Sequence, residues 1–150
     1  MQKKLTLFFL CFSLLMTAIY YLPKNYQQDI VIATYEGCSL NIRSLEDFKG
    51  KYPDASLKIY SQTSKEEYSE WLAQQFLSGQ EPDIFIIPPE DLEKYIQLNA
   101  LLDLGQFSSE LSSPTYSLSA KDTQKNIILG VSTHTKYPKL TVEALQSLVH

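Results

Sequence analysis

The sequence is poor in the residues from which most catalytic and metal centres are built. It holds two cysteines, two histidines and one tryptophan. Cys11 lies in an apolar N-terminal segment, so the rest of the chain contains Cys38 alone and cannot close an internal disulfide. Cys38 therefore reads first as a small buried hydrophobe. His134 and His150 have no Cys/His cluster around them, which removes the usual metal-ligand spacing. There is no glycine-rich phosphate loop and no internal repeat. Basic charge is scarce as well: all 17 acidic residues but only 10 of the 13 basic ones lie beyond Lys24. That part carries a net charge of −7 and offers no footprint for a phosphate backbone, so nucleic acid is set aside as a partner. Nothing implies a cofactor.

One stretch lacks charge altogether. Leu5 to Pro23 is a 19-residue apolar run behind Lys3 and Lys4, about 28 Å long as a helix at roughly 1.5 Å per residue. That length just crosses a bilayer. A cleaved signal peptide needs small residues at its cleavage site, and Met16-Thr17-Ala18 followed by Tyr20-Tyr21-Leu22 is a poor match. A lipoprotein signal fails too, because Cys11 follows Phe8-Phe9-Leu10 rather than small residues. The expected organisation is a signal anchor, or failing that a signal peptide, over 1–24, with an extracytoplasmic domain over 25–150.

Beyond Lys24, apolar runs and helical spacings alternate. Asp29 to Thr34 reads as a buried strand. Leu45, Phe48 and Tyr52 mark a helix from Ser44, and Ala55 to Tyr60 reads as a second strand. Ser64-Lys65-Glu66-Glu67 has the form of a capping box, Tyr68, Leu72 and Phe76 line one helical face beside Trp71, and Gly79 supplies a helix end. Asp83 to Ile87 is a third strand, apolar enough to be covered on both faces. Glu90 to Leu104 reads as a helix, Gln106 to Gln124 as a serine-rich linker, and Ile127 to Val131 as a fourth strand before a helix from Pro138. The expectation is an α/β domain with a mostly parallel sheet flanked by helices, plus one N-terminal hydrophobic helix.

Several of these residues stand in a known order. Phe48 to Pro53, Ser64 with Tyr68, Ser78-Gly79, Pro82-Asp83 before Ile84 to Ile87, and Leu101-Leu102-Asp103-Leu104 follow one another over Asp29 to Leu104. In this order the chain resembles the extracellular solute-binding proteins of ABC importers, family 1-like, and their sugar-binding branch most. The resemblance implies a periplasmic-binding-protein-like lobe of type II. It also implies a small-molecule solute, a sugar or oligosaccharide, and an ABC permease in the membrane. The family has two lobes, and here the second has no counterpart. Leu129 to Leu140 resembles the later return to the first lobe, while Lys125 to Val131 alternatively matches an earlier crossing strand. The preferred reading is a first lobe with 106–124 as a linker replacing the second.

Ligands of open α/β sheets bind beyond the carboxyl ends of the strands. Those ends offer Tyr35 and Glu36, Gln62, and Glu90 and Asp91. Carboxylates and amides suit sugar hydroxyls, and an aromatic face suits sugar C–H groups. The resemblance puts Glu36 and Glu90 foremost. Each has a plainer reading: Glu90 and Asp91 favour a helix dipole, Gln62 and Thr63 cap a helix, and Tyr35 and Trp71 pack. A glycosidase pair of Glu36 and Glu90 needs carboxyls about 5–9 Å apart, which sequence does not supply, so no enzyme is expected. A rival is a membrane-anchored sensor or interaction lobe with a sensor partner, or a truncated remnant that has lost transport.

Overall fold

The computed structural model describes residues 27–38, 40, 42–121 and 126–149. The N-terminal segment 1–24, expected to hold an anchor or signal peptide and a hydrophobic helix, lies outside them. Among the described residues no helix is long and apolar enough to cross a membrane.

The described residues begin with β1 (Gln28–Tyr35), α1 (Ile42–Lys51), β2 (Ala55–Gln62), α2 (Lys65–Ser78) and β3 (Ile84–Ile87). They continue with a 3-10 turn (Pro89–Asp91), α3 (Leu92–Gln97), a second 3-10 turn (Leu104–Gln106), β4 (Leu118–Lys121), β5 (Asn126–Val131) and α4 (Pro138–Val149). Among the described residues, five strands form one sheet in the order β2-β1-β3-β5-β4. β1 pairs parallel with β2 and β3, whereas β5 runs antiparallel to both β3 and β4. The sheet is thus mixed, which corrects the expectation of a mostly parallel one. β5 follows β4 in the chain as its neighbour, and adjacent strands joined directly pair antiparallel.

Two further expectations are corrected. The supposed linker 106–124 contains β4, a strand too short and polar to announce itself. The helix read from Glu90 to Leu104 is instead a 3-10 turn and a six-residue α3, ended by Asn99 at a positive φ of 52°.

The best-marked helix forms as its signals dictate. Ser64 Oγ accepts the Glu67 N–H at 3.1 Å, and Gly79 sits in the left-handed region at φ 66°. The Glu67 carboxylate is taken by the Thr63 hydroxyl rather than folding back as a reciprocal cap. α2 and α3 share one face of the sheet through Phe76, Phe85 and Tyr95, whose ring centroids lie 5.4–5.6 Å apart. α1 packs on α4 on the other, where Lys51 and Tyr52 both bind Glu143. All four residues of β3 are buried, as a strand between two helical layers requires. β2 is an edge strand, and its Ile59 and Tyr60 are about half exposed. Gly130 lets β5 pass closely: a Cβ there would lie 2.6 Å from both Ile87 Cδ1 and Leu101 Cδ2.

The Leu101 to Leu104 motif is structural. Leu101 and Leu104 are buried, and Leu101 bridges to Ser132. The Asp103 carboxylate gathers the N–H groups of Gly105 at 3.1 Å and Thr115 at 2.9 Å, the Gln106 amide and the Ser113 hydroxyl. The Ser113 hydroxyl first, then the Thr115 N–H, hold its pKa below the usual 3.8. The stability this gives is present above the unfolded value and is lost as pH falls below 3.8 through the lower folded one. Asp103→Asn should therefore flatten the acid limb of a melting-temperature profile taken from about pH 5 to about pH 2. An unchanged slope would show that the loop does not depend on this carboxylate.

Candidate functional site

The chain crosses from β1 to β2 in one direction and back past β1 to β3 in the other. The strand order therefore reverses between β1 and β3, where a crevice opens beyond their carboxyl ends. A pocket of about 340 Å³ occurs there. Tyr35 and Cys38 line it from the end of β1, Ile86, Ile87 and Pro89 from the end of β3, Lys65 from the start of α2, and Ile127 and Ile128 from β5. Because β5 is inverted, its first residues lie beside the last of β3, with Ile87 opposite Ile128.

Tyr35 is half-buried, with its ring 5.1 Å from that of Tyr68 beneath it. Burial first, then the neighbouring Cys38 thiol, push its phenol up to about 12, so it remains a hydrogen-bond donor at neutral pH. Tyr68 is fully buried and donates its hydroxyl to Ile86 O at 2.8 Å, which fixes the pocket floor. At the rim, Lys65 and Glu90 form an exposed ion pair that ties the start of α2 to the loop after β3. The Lys65 hydrogen bond holds the Glu90 carboxyl below its usual range, and Glu90 raises Lys65 in turn.

The five residues expected from the sequence lie around these strand ends but do not all reach the pocket. Tyr35 lines it. Glu90 touches it through Lys65. Glu36 is exposed in the turn after β1, and its N–H donates to Gln62 O at 2.9 Å, so the two stand together at the β2 edge. Asp91 closes the 3-10 turn, its N–H bonded to Pro88 O at 2.9 Å. Sequence reading missed Lys65, which looked like a cap residue, and Ile127 and Ile128, whose place depends on the inversion of β5. Among the described residues no group of three or more His, Cys, Asp or Glu side chains is arranged to hold a metal ion. A larger polar depression of about 550 Å³ lies between the end of α1, α4 and residues 107–110. It opens on the helical face rather than beyond the strand tips, and the Glu143 bridges cross it.

No protein-family model matches the chain, and no curated protein sequence matches it. In fold, the chain resembles extracellular solute-binding proteins over part of its length. One such structure is a family 1 extracellular solute-binding protein from Bifidobacterium longum subsp. infantis (18% identity, TM-score 0.49, 62% of this chain and 27% of that one). Another is a periplasmic solute-binding protein from Pectobacterium atrosepticum (19%, TM-score 0.48, 62% and 27%). A third is an ABC substrate-binding protein from Listeria monocytogenes in complex with cycloalternan (20%, TM-score 0.47, 53% and 20%). The chain spans about a quarter or less of the length of these proteins.

Proposed function

We propose that the chain is an extracytoplasmic solute-recognition lobe that holds a small carbohydrate in the crevice between β1 and β3 and presents it to an ABC permease. Leu5 to Pro23 keeps it at the membrane. The observation that carries this reading is the pocket at the point where the strand order reverses, with a half-buried aromatic ring on one side and a Lys65–Glu90 pair on its rim. An aromatic face accepts the C–H surface of a sugar ring, while the pair, the Tyr35 hydroxyl and the neighbouring Glu36, Gln62 and Asp91 supply donors and acceptors for its hydroxyls. The chemistry is recognition rather than catalysis.

Titration calorimetry of the detergent-solubilised chain against a panel of sugars and oligosaccharides tests it. At least one should give heat, and Tyr35→Ala should weaken that binding by about tenfold or more, or roughly 1.4 kcal/mol. No heat and no thermal shift from any sugar would overturn the carbohydrate reading. One feature favours a second reading, a sensor or interaction lobe or a transport-deficient remnant. The pocket walls come from the strand ends, their loops and the start of α2, all on one side, and a one-sided pocket buries less of a ligand than a closing cleft.

A further inference from the structure

The end of the sheet opposite the pocket carries a second surface. α2 runs from the strand tips to that end and finishes at Leu77 and Ser78, and α3 does the same, finishing before Leu98. Leu77 is 90% exposed and Leu98 65%. Between them lies an apolar groove of about 390 Å³ walled by Phe76, Leu77, Tyr95 and Leu98, with Lys94 and His134 at its margin. Single exposed leucines are ordinary, but two flanking an apolar groove mark a contact surface.

The groove shares an end with the point where the chain enters the fold. Ala100 O, at its floor, accepts the Thr133 N–H at 3.1 Å, and the Ser132 N–H donates to Asp83 O at 2.9 Å. The Asp83 carboxylate accepts the Val31 N–H at 2.8 Å, three residues into β1. Only Lys24 to Gln27 separate Pro23, the last residue of the apolar run, from Gln28. Extended at roughly 3.4 Å per residue, that connection reaches about 17 Å. A bilayer that holds Leu5 to Pro23 would therefore lie within about 17 Å of Gln28, at the end of the sheet that carries the groove and away from the pocket.

We propose that this groove, with Leu77 and Leu98 as its contacts, rests on the lipid surface of the membrane that holds the N-terminal run, so that the strand-tip pocket faces the aqueous side. Charge is compatible with this. Lys94 makes no ion pair among the described residues and can extend its amine to lipid headgroups while its stem covers the apolar wall. The nearby Glu81 side chain is only 4% exposed and bound to His134, so it presents no open carboxylate. Asp29 and Asp54 share this end of the sheet but sit on the β2 side, where Asp29 is paired with Lys58 at 2.7 Å. The inference rests on the membrane-anchor part of the proposed function and is independent of the solute.

The test uses the full chain with Cys11 and Cys38 replaced by serine, reconstituted in vesicles of phosphatidylcholine and phosphatidylglycerol. An environment-sensitive fluorophore is attached through Leu77→Cys, Leu98→Cys or, at the pocket end, Ser61→Cys. The probes at positions 77 and 98 should shift to shorter wavelength and lose emission when brominated lipids are included, while the probe at 61 stays aqueous. If vesicles float with the protein but the probes at 77 and 98 read like the one at 61, the lipid face is wrong and the anchor stands. If the chain does not float with vesicles, both fail. A shift at 77 that ignores brominated lipid and grows with protein density would assign the groove to a second copy of the chain and overturn the proposal.

Discussion

Tyr68→Ala should cost the fold roughly 3–5 kcal/mol, the range found when a large aromatic is truncated in a packed core. Tyr68 is fully buried in the first turns of α2, 5.1 Å from the Tyr35 ring and 6.3 Å from that of Trp71. Alanine would leave a cavity among these rings that the sheet below cannot close. A domain of this size has about 5–15 kcal/mol in all, so the loss is a large part of the whole. Tyr68→Phe separates the two contributions. It keeps the ring but removes the hydroxyl that donates to Ile86 O, and should cost only about 1 kcal/mol. Burial raises the Tyr68 phenol well above its usual value, which favours the protonated hydroxyl that donates to Ile86 O. Urea unfolding followed by far-ultraviolet circular dichroism checks both variants. An alanine variant within about 1 kcal/mol of the parent would mean that α2 does not pack on the sheet through this residue.

Tyr68 also illustrates what was legible in the sequence. The four-residue spacing of Tyr68, Leu72 and Phe76, the Ser64 cap and Gly79 specified α2 without help from the rest of the chain, because each signal is local. The apolar runs Ile30 to Ala33 of β1 and Ile84 to Ile87 of β3 were equally plain, since neither contains a polar residue to confuse the pattern. β4 was not legible. Leu-Ser-Ala-Lys is as polar as the loop before it, and its strand state depends on β5 being there to pair with. The inversion of β5 was hidden for the same reason: Asn126 to Val131 reads the same in either direction, and only its neighbours set its sense.

The site followed the same division. The topology predicted where a crevice would open, and Tyr35 stands in it. The side chains that complete its wall were not visible as a set. Ile127 and Ile128 look like any strand interior, and Lys65 looks like a helix cap until the loop after β3 brings Glu90 to it. The motifs behind the family resemblance proved to be supports of the fold. Asp103 ties the loop between Leu104 and Thr115, and Ser64 caps α2. Neither residue lines the pocket, so a resemblance resting on them speaks to architecture more than to ligand.

Asp83→Ala should be the most damaging change among these motif residues, at about 3 kcal/mol or more, because a carboxylate that accepts two bonds is removed and each such bond contributes roughly 1.5–3 kcal/mol. Oδ2 accepts the Val31 N–H of β1 at 2.8 Å, and Oδ1 accepts the Thr135 hydroxyl at 2.6 Å. Thr135 in turn lies 3.0 Å from the hydroxyl of Thr141, which is buried in the first turn of α4. One side chain thus joins β1, the start of β3, the turn after β5 and the helix that follows. Alanine leaves the Val31 N–H without its partner in a half-buried site. Asparagine is the informative contrast. Its carbonyl oxygen can still accept from Val31, and its amide can donate to the Thr135 oxygen if that hydroxyl turns towards Thr141. Asp83→Asn should therefore recover most of the loss in denaturant midpoint. Asp83 lies at the opposite end of β3 from the pocket, so any solute bound by the parent should bind the folded asparagine variant with unchanged affinity. Equal damage from alanine and asparagine would show that the carboxylate's charge, not its two accepted bonds, holds these elements together.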